Sequence, residues 1–174
     1  MKKGNLLIVG AGSYGLVAAE IAKEMDCFDK IAFVDDRIKT LKNGEPVIGT
    51  TRDIDRLAEE YSHIIVAIGN PEIRLSFHEH IQSKTNYQIP SIISPRAHVS
   101  PSAAVSSGCI IEPMAVVQAA SVVKESCIIS AGAVVSHEST CCRGVHADCN
   151  ATVAAYAIVP AKTKIPYGEV YSDV

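Results

Sequence analysis

A histidine and a glutamate stand side by side at His137 and Glu138. An imidazole can take a proton from an amine or a hydroxyl at neutral pH, and a neighbouring carboxylate can fix the ring tautomer and raise its basicity. A lone His-Glu dipeptide is more often an ordinary surface pair, so its context has to decide. Three further histidines, His63, His78 and His80, give no such signal, and we expect them to be structural or to face solvent.

A glycine fingerprint, G-x-G-x-x-G, is formed by Gly10, Gly12 and Gly15. Backbone amides at the start of a helix can approach a phosphate closely where no Cβ intervenes. Asp35 and Asp36 follow about 20 positions later, where a carboxylate can accept hydrogen bonds from a ribose or a base. The pattern predicts a nucleotide site; the alternative is that the glycines only tighten a turn and the aspartates are solvated.

A third group combines Cys141, Cys142, His146 and Cys149, whose soft ligands favour zinc. Their spacing lacks the paired C-x-x-C form of structural zinc sites. We therefore expect no metal here, and the six cysteines of a chain without an export signal are expected to be reduced thiols.

The N-terminal elements place the glycines at the edge of a sheet. An apolar run over residues 5–9 precedes them, and a segment with helical apolar spacing, LVAAEIAKEM, follows. Further strands are predicted over residues 30–34 and 62–68, with helices over 51–61 and 71–81. This alternation predicts a parallel sheet, and the loops after Val9, Val34 and Ile68 should meet at one edge. Hydride chemistry would need a further half-domain for nicotinamide, so nucleotide binding is favoured over redox.

A six-residue repeat organises the C-terminal half. Counting from Val99 in steps of six, ten of the twelve positions up to Ile165 are Val or Ile, and the residue four positions later is mostly small. One aliphatic and one small inward residue per hexad are typical of a left-handed parallel β-helix with three hexads per coil. A β-sandwich would instead show period-two alternation with turns of variable length. The repeat makes Cys109, Cys127 and Cys141 inward residues and turns Cys142 outward, which further weakens a metal site.

The predicted fold class is therefore α/β plus all-β. A Rossmann-like βαβ domain is expected over residues 1–94, followed by a left-handed parallel β-helix over 95–174 that begins near His98 and ends near Ile165.

Composition excludes several function classes. The 174 residues carry a net charge of -3, with basic residues dispersed, so no nucleic-acid partner is expected. No apolar run reaches the roughly 20 residues of a membrane span, and the N-terminus meets glycine and Ser13 too early for a signal peptide. A cytoplasmic protein without a membrane partner is expected. Aromatic residues make up 5% and Trp is absent, so the core must be aliphatic.

Taken together, these motifs resemble the bacterial nucleotide-sugar acetyltransferases, which include sialic-acid O-acetyltransferase-like proteins and the N-acetyltransferases of the bacillosamine pathway. The resemblance spans essentially the whole chain. The residues that carry it are Gly10-Ala-Gly-Ser-Tyr-Gly15, Asp35-Asp36, Ala67-Ile-Gly-Asn70 with Arg74, Ile93-Ser-Pro95, His137-Glu138 and His146.

The resemblance implies roles for particular residues. His137 would be the general base, Glu138 would orient it, and His146 would lie near acetyl-CoA. The nucleotide sugar would be held by residues of the glycine loop, the acidic pair and the glycine-asparagine turn, namely Gly10, Gly12, Ser13, Tyr14, Gly15, Asp35, Asp36, Arg37, Gly69, Asn70 and Arg74. The family is trimeric, with active sites between neighbouring β-helices, so a homotrimer is expected. The implied activity is transfer of acetyl from acetyl-CoA to the amine of a UDP-4-amino-sugar, in one direct step and without a metal.

The sequence departs from the family at two positions. The glycine loop often carries histidine where this chain has Tyr14. Ala155 stands 18 residues after His137, where glycine is usual and a backbone amide could polarise the thioester carbonyl. Because the donor is backbone, alanine should still serve.

Three alternatives stay open at this point. The acceptor could be a hydroxyl, as on a sialic acid, because the same base and fold would serve. The chain could be a non-catalytic nucleotide-sugar sensor in which the β-helix only trimerises it. An NAD-dependent enzyme would leave the β-helix unexplained.

Overall fold

The computed structural model of the protein describes residues 3–173, which divide after Pro90 into two units. The sequence placed this boundary after residue 94. The difference arises because a short strand at Ile92–Ile93 already pairs with the β-helix strand at Ile110–Ile111.

The first unit is a four-stranded parallel sheet with helices between its strands, as predicted. Along the sheet the strands are ordered β3-β2-β1-β4, and every pairing is parallel. The elements are β1 (Gly4–Val9), α1 (Ser13–Glu24), β2 (Phe28–Val34), β3 (Val47–Gly49), a 3-10 turn (Thr51–Asp53), α2 (Ile54–Leu57), β4 (His63–Val66) and α3 (Pro71–Lys84).

Strand β1 forms the centre of this sheet. Its residues Leu6 to Val9 are fully inaccessible, since a strand with a neighbour on either side and covered faces buries both sets of side chains. Gly10 ends the strand with a φ of 103°. A Cβ on Gly15 would lie 2.0 Å from the Gly10 carbonyl oxygen, so the turn needs glycine there. The strand, turn and helix are thus packed tightly enough to fix the loop geometry.

Two details of the first unit differ from the sequence prediction. Strand β3 was not predicted, because three residues ending in Gly49 are too short to show an alternating pattern. The helix predicted over residues 51–61 is reduced to the 3-10 turn and the four residues of α2. A capping box between Thr50 and Asp53 starts this short segment.

The second unit is a parallel β-helix, which confirms the predicted repeat architecture. It consists of two-residue strands: β5 (Ile92–Ile93), β6 (His98–Val99), β7 (Ala104–Val105), β8 (Ile110–Ile111), β9 (Val116–Val117), β10 (Val122–Val123), β11 (Ile128–Ile129), β12 (Val134–Val135), β13 (Thr140–Cys141), β14 (His146–Ala147), β15 (Thr152–Val153), β16 (Ile158–Val159), β17 (Lys164–Ile165) and β18 (Val170–Tyr171).

Strands 18 residues apart pair in register and form three parallel sheets. Val135, for example, pairs with Val117 on one side and Val153 on the other. The second residue of these strands points inward and joins the small residues in one continuous core. The helix extends one strand beyond the predicted limits at each end, because Ile93 and Tyr171 continue the same six-residue phase.

The corners of the β-helix also recur every six residues. One residue at each of these corners adopts a positive φ, and many of these residues are not glycine. Glycine relieves the steric cost of this conformation; other residues adopt it at some cost. The corner residues are Gly108, Met114, Ala120, Ser126, Gly132, Glu138, Gly144, Asn150, Tyr156, Lys162 and Gly168.

Within residues 3–173, no helix has both the length and the apolar character needed to cross a membrane.

Candidate active site

His137 and Glu138 occupy the corner between β12 and β13. His137 Nδ1 lies 3.4 Å from Glu138 Oε2, and about half of each side chain is exposed. Glu138 itself is the corner residue, with a φ of 57°. The structure therefore brings the predicted base and its carboxylate together at an accessible corner, with the other ring nitrogen of the imidazole directed away from the carboxylate.

The corner is held by side chains that the sequence analysis did not single out. Gln118, one coil earlier, accepts a hydrogen bond from the His137 amide at 3.0 Å. The Ser139 hydroxyl donates to the Ser136 carbonyl at 2.6 Å and closes the turn. The 18-residue period points to Gln118, because it precedes the position stacked on His137.

Tyr156 lies at the next coil's corner and also contacts the pair. Its ring meets the His137 imidazole edge to face, with 5.4 Å between ring centroids and an angle of 89°. A hydrogen bond with the Glu138 carboxylate raises the pKa of the Tyr156 hydroxyl, because ionisation would place a phenolate beside that carboxylate. The sequence analysis did not predict this residue.

Ala155 lies one coil after His137. The strands that precede the two residues, β12 and β15, pair in register. Ala155 follows Val153 as His137 follows Val135, so its backbone lies at the level of the coil next to the imidazole. This placement agrees with the position expected for an amide donor.

His146 lies on β14, and its side chain is 1% exposed. Its Nε2 lies 3.1 Å from Asp148 Oδ1 and 3.4 Å from the Ser130 hydroxyl. Asp148 Oδ2 in turn lies 3.0 Å from Lys164 Nζ. The structure thus places His146 in a buried polar cluster, on a different sheet from the strand that leads into His137; its contact with acetyl-CoA stays a prediction.

Glu112 extends the same cluster by one coil. Its Oε2 accepts a hydrogen bond from the Ala131 amide at 3.0 Å. Burial raises the pKa of Glu112, and the Asp148 charge adds to this, while the Ala131 amide and the Ser130 hydroxyl oppose it. Glu112, Ser130 and Asp148 are each 18 residues apart, a periodic signal that the sequence analysis overlooked.

A cavity of about 400 Å³ opens at the carboxyl edge of the parallel sheet in the first unit. Its size is adequate for a nucleotide. The loops after β1, β2 and β4 meet there, as the sequence predicted. Eight of the predicted binding residues line it: Gly10, Gly12, Ser13, Tyr14, Asp35, Asp36, Arg37 and Gly69.

Asp35 organises the loops around this cavity. Its Oδ2 accepts from the Ala11 amide at 2.9 Å, and its Oδ1 accepts from the amides of Arg37 and Ile38, both at 2.8 Å. Partial burial would raise the pKa of this carboxyl, but the three amides outweigh it and hold the pKa below its ordinary value. Asp35 is therefore an anion that ties the glycine loop to the loop after β2.

Asp36 and Tyr14 form two further walls. Asp36 Oδ1 accepts from the Thr51 amide at 2.9 Å, and the Thr51 hydroxyl also bonds to this carboxylate. A Cβ added at Gly69 would lie 2.8 Å from the Tyr14 ring, so the tyrosine packs directly on the turn after β4. Tyr14 is thus held against the turn after β4 at the position where the family often has histidine.

Three predicted binding residues do not line the cavity. Gly15 packs against the Gly10 carbonyl, and Asn70 caps α3 by accepting from the Ile73 amide at 3.1 Å. Arg74 is fully buried, and its Nη1 donates to the carbonyls of Ile68 and Gly69 at 2.7 and 2.9 Å. These residues shape the turn from behind, where a ligand in the cavity does not reach them.

The cavity has an apolar wall that the sequence analysis missed. Ile38, Ile68, Ile73 and Phe77 line it, and Ile73 is 46% exposed. Apolar side chains on the first turns of α3 carry no motif, so only the fold places them here.

All six cysteines are free thiols. Cys141 is fully buried and Cys142 is half-buried, as the repeat phase predicted. Within the described part of the chain, residues 3–173, no three His, Cys, Asp or Glu side chains are grouped to hold a metal ion.

Comparison with known families gives one match. The family described as PglD N-terminal domain matches residues 5–81, which cover the sheet, the glycine loop and most of α3. A search of curated proteins found no match.

Solved structures match nearly the whole chain. The acetyltransferase domain of PglB from Neisseria gonorrhoeae FA1090, in complex with acetyl coenzyme A, is 34% identical with a TM-score of 0.93, over 99% of this chain and 83% of that chain. PerB from Caulobacter crescentus, in complex with CoA and GDP-perosamine, is 23% identical with a TM-score of 0.73, over 94% and 92%. WeeI from Acinetobacter baumannii AYE is 16% identical with a TM-score of 0.69, over 95% and 87%. The last two show likeness of fold alone.

Proposed function

The chain belongs to the hexapeptide-repeat nucleotide-sugar acetyltransferases of the PglD and PglB type, and we propose that it transfers acetyl from acetyl-CoA to the amine of a nucleotide-linked amino sugar, of the UDP-4-amino-sugar kind. The observation that carries the proposal is the exposed His137–Glu138 pair, set on a β-helix corner in a chain that also holds a nucleotide-sized cavity. The PglB domain, similar over almost the whole chain, binds acetyl coenzyme A.

His137 is the general base in this proposal. The acceptor amine attacks the thioester carbon, a C–N bond forms, and His137 takes the proton that the nitrogen loses. Collapse of the tetrahedral intermediate breaks the C–S bond, and the imidazolium returns the proton to the departing thiolate. The products are the acetamido sugar and free CoA, and no covalent enzyme intermediate forms.

Glu138 and Ala155 stabilise the charges that develop. Glu138 stands beside Nδ1, which orients the ring and favours the imidazolium. The Ala155 amide, one coil away, donates to the oxyanion of the tetrahedral intermediate. His146 is assigned to the acetyl-CoA site on the basis of the family resemblance.

The cavity at the sheet edge holds the nucleotide. The amides of the glycine loop face the phosphates at the start of α1, a position that favours anions. Asp36 and the apolar wall of Ile73 and Phe77 are available to the base and the ribose. A homotrimer completes the enzyme by placing acetyl-CoA between neighbouring β-helices.

The test is a thiol-release assay with acetyl-CoA and a panel of UDP-, dTDP- and GDP-linked amino sugars. We expect CoA release with at least one amino sugar and none with a matched nucleotide sugar that has a hydroxyl in place of the amine. Release with the hydroxyl sugar would instead support an O-acetyltransferase, and release with no member of the panel would contradict the proposal.

His137→Ala should abolish turnover while leaving nucleotide-sugar binding nearly intact. His80→Ala, which removes an exposed histidine of α3, is the matched control and should behave as the wild type. Substantial activity in the His137→Ala variant would rule out its role as the base.

A further inference from the structure

Tyr156 repeats the corner position of Glu138 one coil later. The two residues are 18 positions apart, and both have positive φ, 57° for Glu138 and 66° for Tyr156. Their side chains therefore leave the β-helix from stacked backbone positions with the same conformation. Side chains placed in this way lie next to each other on the corner.

Tyr156 contacts the pair through three different groups. Its amide donates to the His137 carbonyl at 3.3 Å, its ring lies edge to face against the imidazole, and its hydroxyl bonds to the Glu138 carboxylate. The Glu138 carboxylate thus lies between the imidazole and the phenol. No other side chain named at this corner touches both residues of the pair.

A role in folding alone does not account for this residue. A bulky residue with positive φ carries a backbone cost that glycine, used at other corners such as Gly132 and Gly144, avoids. The side chain recovers little of this cost by burial, because Tyr156 is 55% exposed. Its specific contacts are instead directed at His137 and Glu138.

We propose that Tyr156 is a positioning residue for the proposed acetyl transfer: its ring restricts rotation of the His137 imidazole, and its hydroxyl orients the Glu138 carboxylate toward Nδ1. This inference rests on the proposed function. An imidazole free to rotate about its side-chain bonds would spend less time with its other nitrogen presented to the acceptor amine. The loss should therefore fall on the chemical step and leave substrate binding unchanged.

Two substitutions separate the ring from the hydroxyl. Tyr156→Phe keeps the edge-to-face contact and removes one hydrogen bond, so kcat should fall roughly threefold to tenfold. Tyr156→Ala removes both contacts, and kcat should fall by about 100-fold. The KM values for acetyl-CoA and for the nucleotide sugar should stay within about twofold of wild type in both variants. Tyr167→Ala, which removes another exposed tyrosine of the β-helix, is the control and should leave kcat unchanged.

Two kinetic outcomes would overturn the inference while leaving the proposed function intact. One is wild-type kcat in Tyr156→Ala. The other is a raised KM for either substrate with kcat retained, which would make Tyr156 a binding residue.

A second readout does not depend on activity. In ¹⁵N NMR of the free protein, the His137 ring signals report which nitrogen carries the proton, and we expect Tyr156→Ala to shift them while Tyr167→Ala does not. If the wild-type chain released no CoA with any sugar, the proposed function would fail, and this measurement would still decide whether Tyr156 positions the imidazole. Unchanged His137 signals in Tyr156→Ala would refute the positioning role.

Discussion

His146 Nε2 lies 3.1 Å from Asp148 Oδ1, and both side chains are almost completely inaccessible to solvent. The other oxygen of Asp148 lies 3.0 Å from Lys164 Nζ, whose side chain is half-exposed. Asp148 therefore connects a buried imidazole to an ammonium group that reaches the surface. This arrangement separates the effect of removing a buried charge from that of removing an exposed one.

Asp148→Asn should lower the free energy of unfolding by about 1 to 3 kcal/mol, because a buried imidazole and a lysine both lose their anionic partner. Thermal and denaturant unfolding of the two proteins measure this loss. Lys164→Met is the control and should cost less than about 1 kcal/mol, since its ammonium group remains hydrated. Equal losses in the two variants would show that the buried contact adds nothing to the exposed one.

Gly15→Ala and Gly12→Ala should separate folding from binding in the glycine loop. A Cβ at Gly15 would lie 2.0 Å from the Gly10 carbonyl oxygen, so this variant should lose about 3 kcal/mol of stability or more. A Cβ at Gly12 meets nothing within 4 Å, and the Tm of that variant should stay near the wild-type value.

Gly12 lines the cavity, so its added methyl group should raise the KM for the nucleotide sugar without affecting the fold. Thermal melts and steady-state kinetics of both variants give the two readouts. A Gly12→Ala variant with both wild-type Tm and wild-type KM would show that the phosphates do not approach this backbone.

Asp35→Asn should destabilise the first unit in a pH-dependent manner. Both carboxylate oxygens accept from amides, so the NH₂ of asparagine would face an N–H donor, at a cost of about 1 to 2 kcal/mol. Because folding lowers the pKa of Asp35 below its ordinary value of 3.8, its contribution is complete above that pH and is lost as the pH falls below it.

The difference in Tm between wild type and Asp35→Asn should therefore be constant from pH 7 to about pH 5 and shrink below about pH 4. Asp36→Asn is the matched control: an amide can keep its oxygen on the Thr51 amide and offer its NH₂ to the Thr51 hydroxyl. A difference that grew toward acid pH would contradict the assignment.

The thiols should react in two classes. Cys109, Cys127 and Cys141 are fully buried, and burial raises the pKa of Cys141 to about 12. Cys27 is exposed. At pH 8, an alkylating reagent should label Cys27 in the native protein and the three buried thiols only after denaturation, as peptide mass spectrometry would show. Rapid native labelling of Cys141 would mean that the β-helix opens locally.

Periodic features of this protein could be predicted from sequence because each of them is repeated many times. The hexad phase located the inward strands and assigned Cys141 and Cys142 to opposite sides of the wall. The first and last strands were missed only because Ile93 and Tyr171 were left out of the count. Strand β3 and the short α2 carry too few residues for any period to show.

The contacts that shape the candidate site depended on the fold. Arg74 was assigned to the ligand because an arginine near a phosphate loop commonly binds it, yet the turn after β4 turns two carbonyls toward its guanidinium. Tyr156 and Asp148 act across coils, on residues 18 or more positions away or on a neighbouring strand. A pattern of apolar residues shows where the backbone goes, and polar contacts between coils follow only once the coils are stacked.

The fixed 18-residue period also limits how this chain can change in length. Removing or duplicating a whole coil away from the His137 corner would leave every remaining column of side chains in register. Deleting a single residue would move each downstream position by one, turning interior valines outward and corner residues into strands. The β-helix can thus vary by whole storeys, and a frame of three hexads is the unit in which we expect its relatives to differ in height.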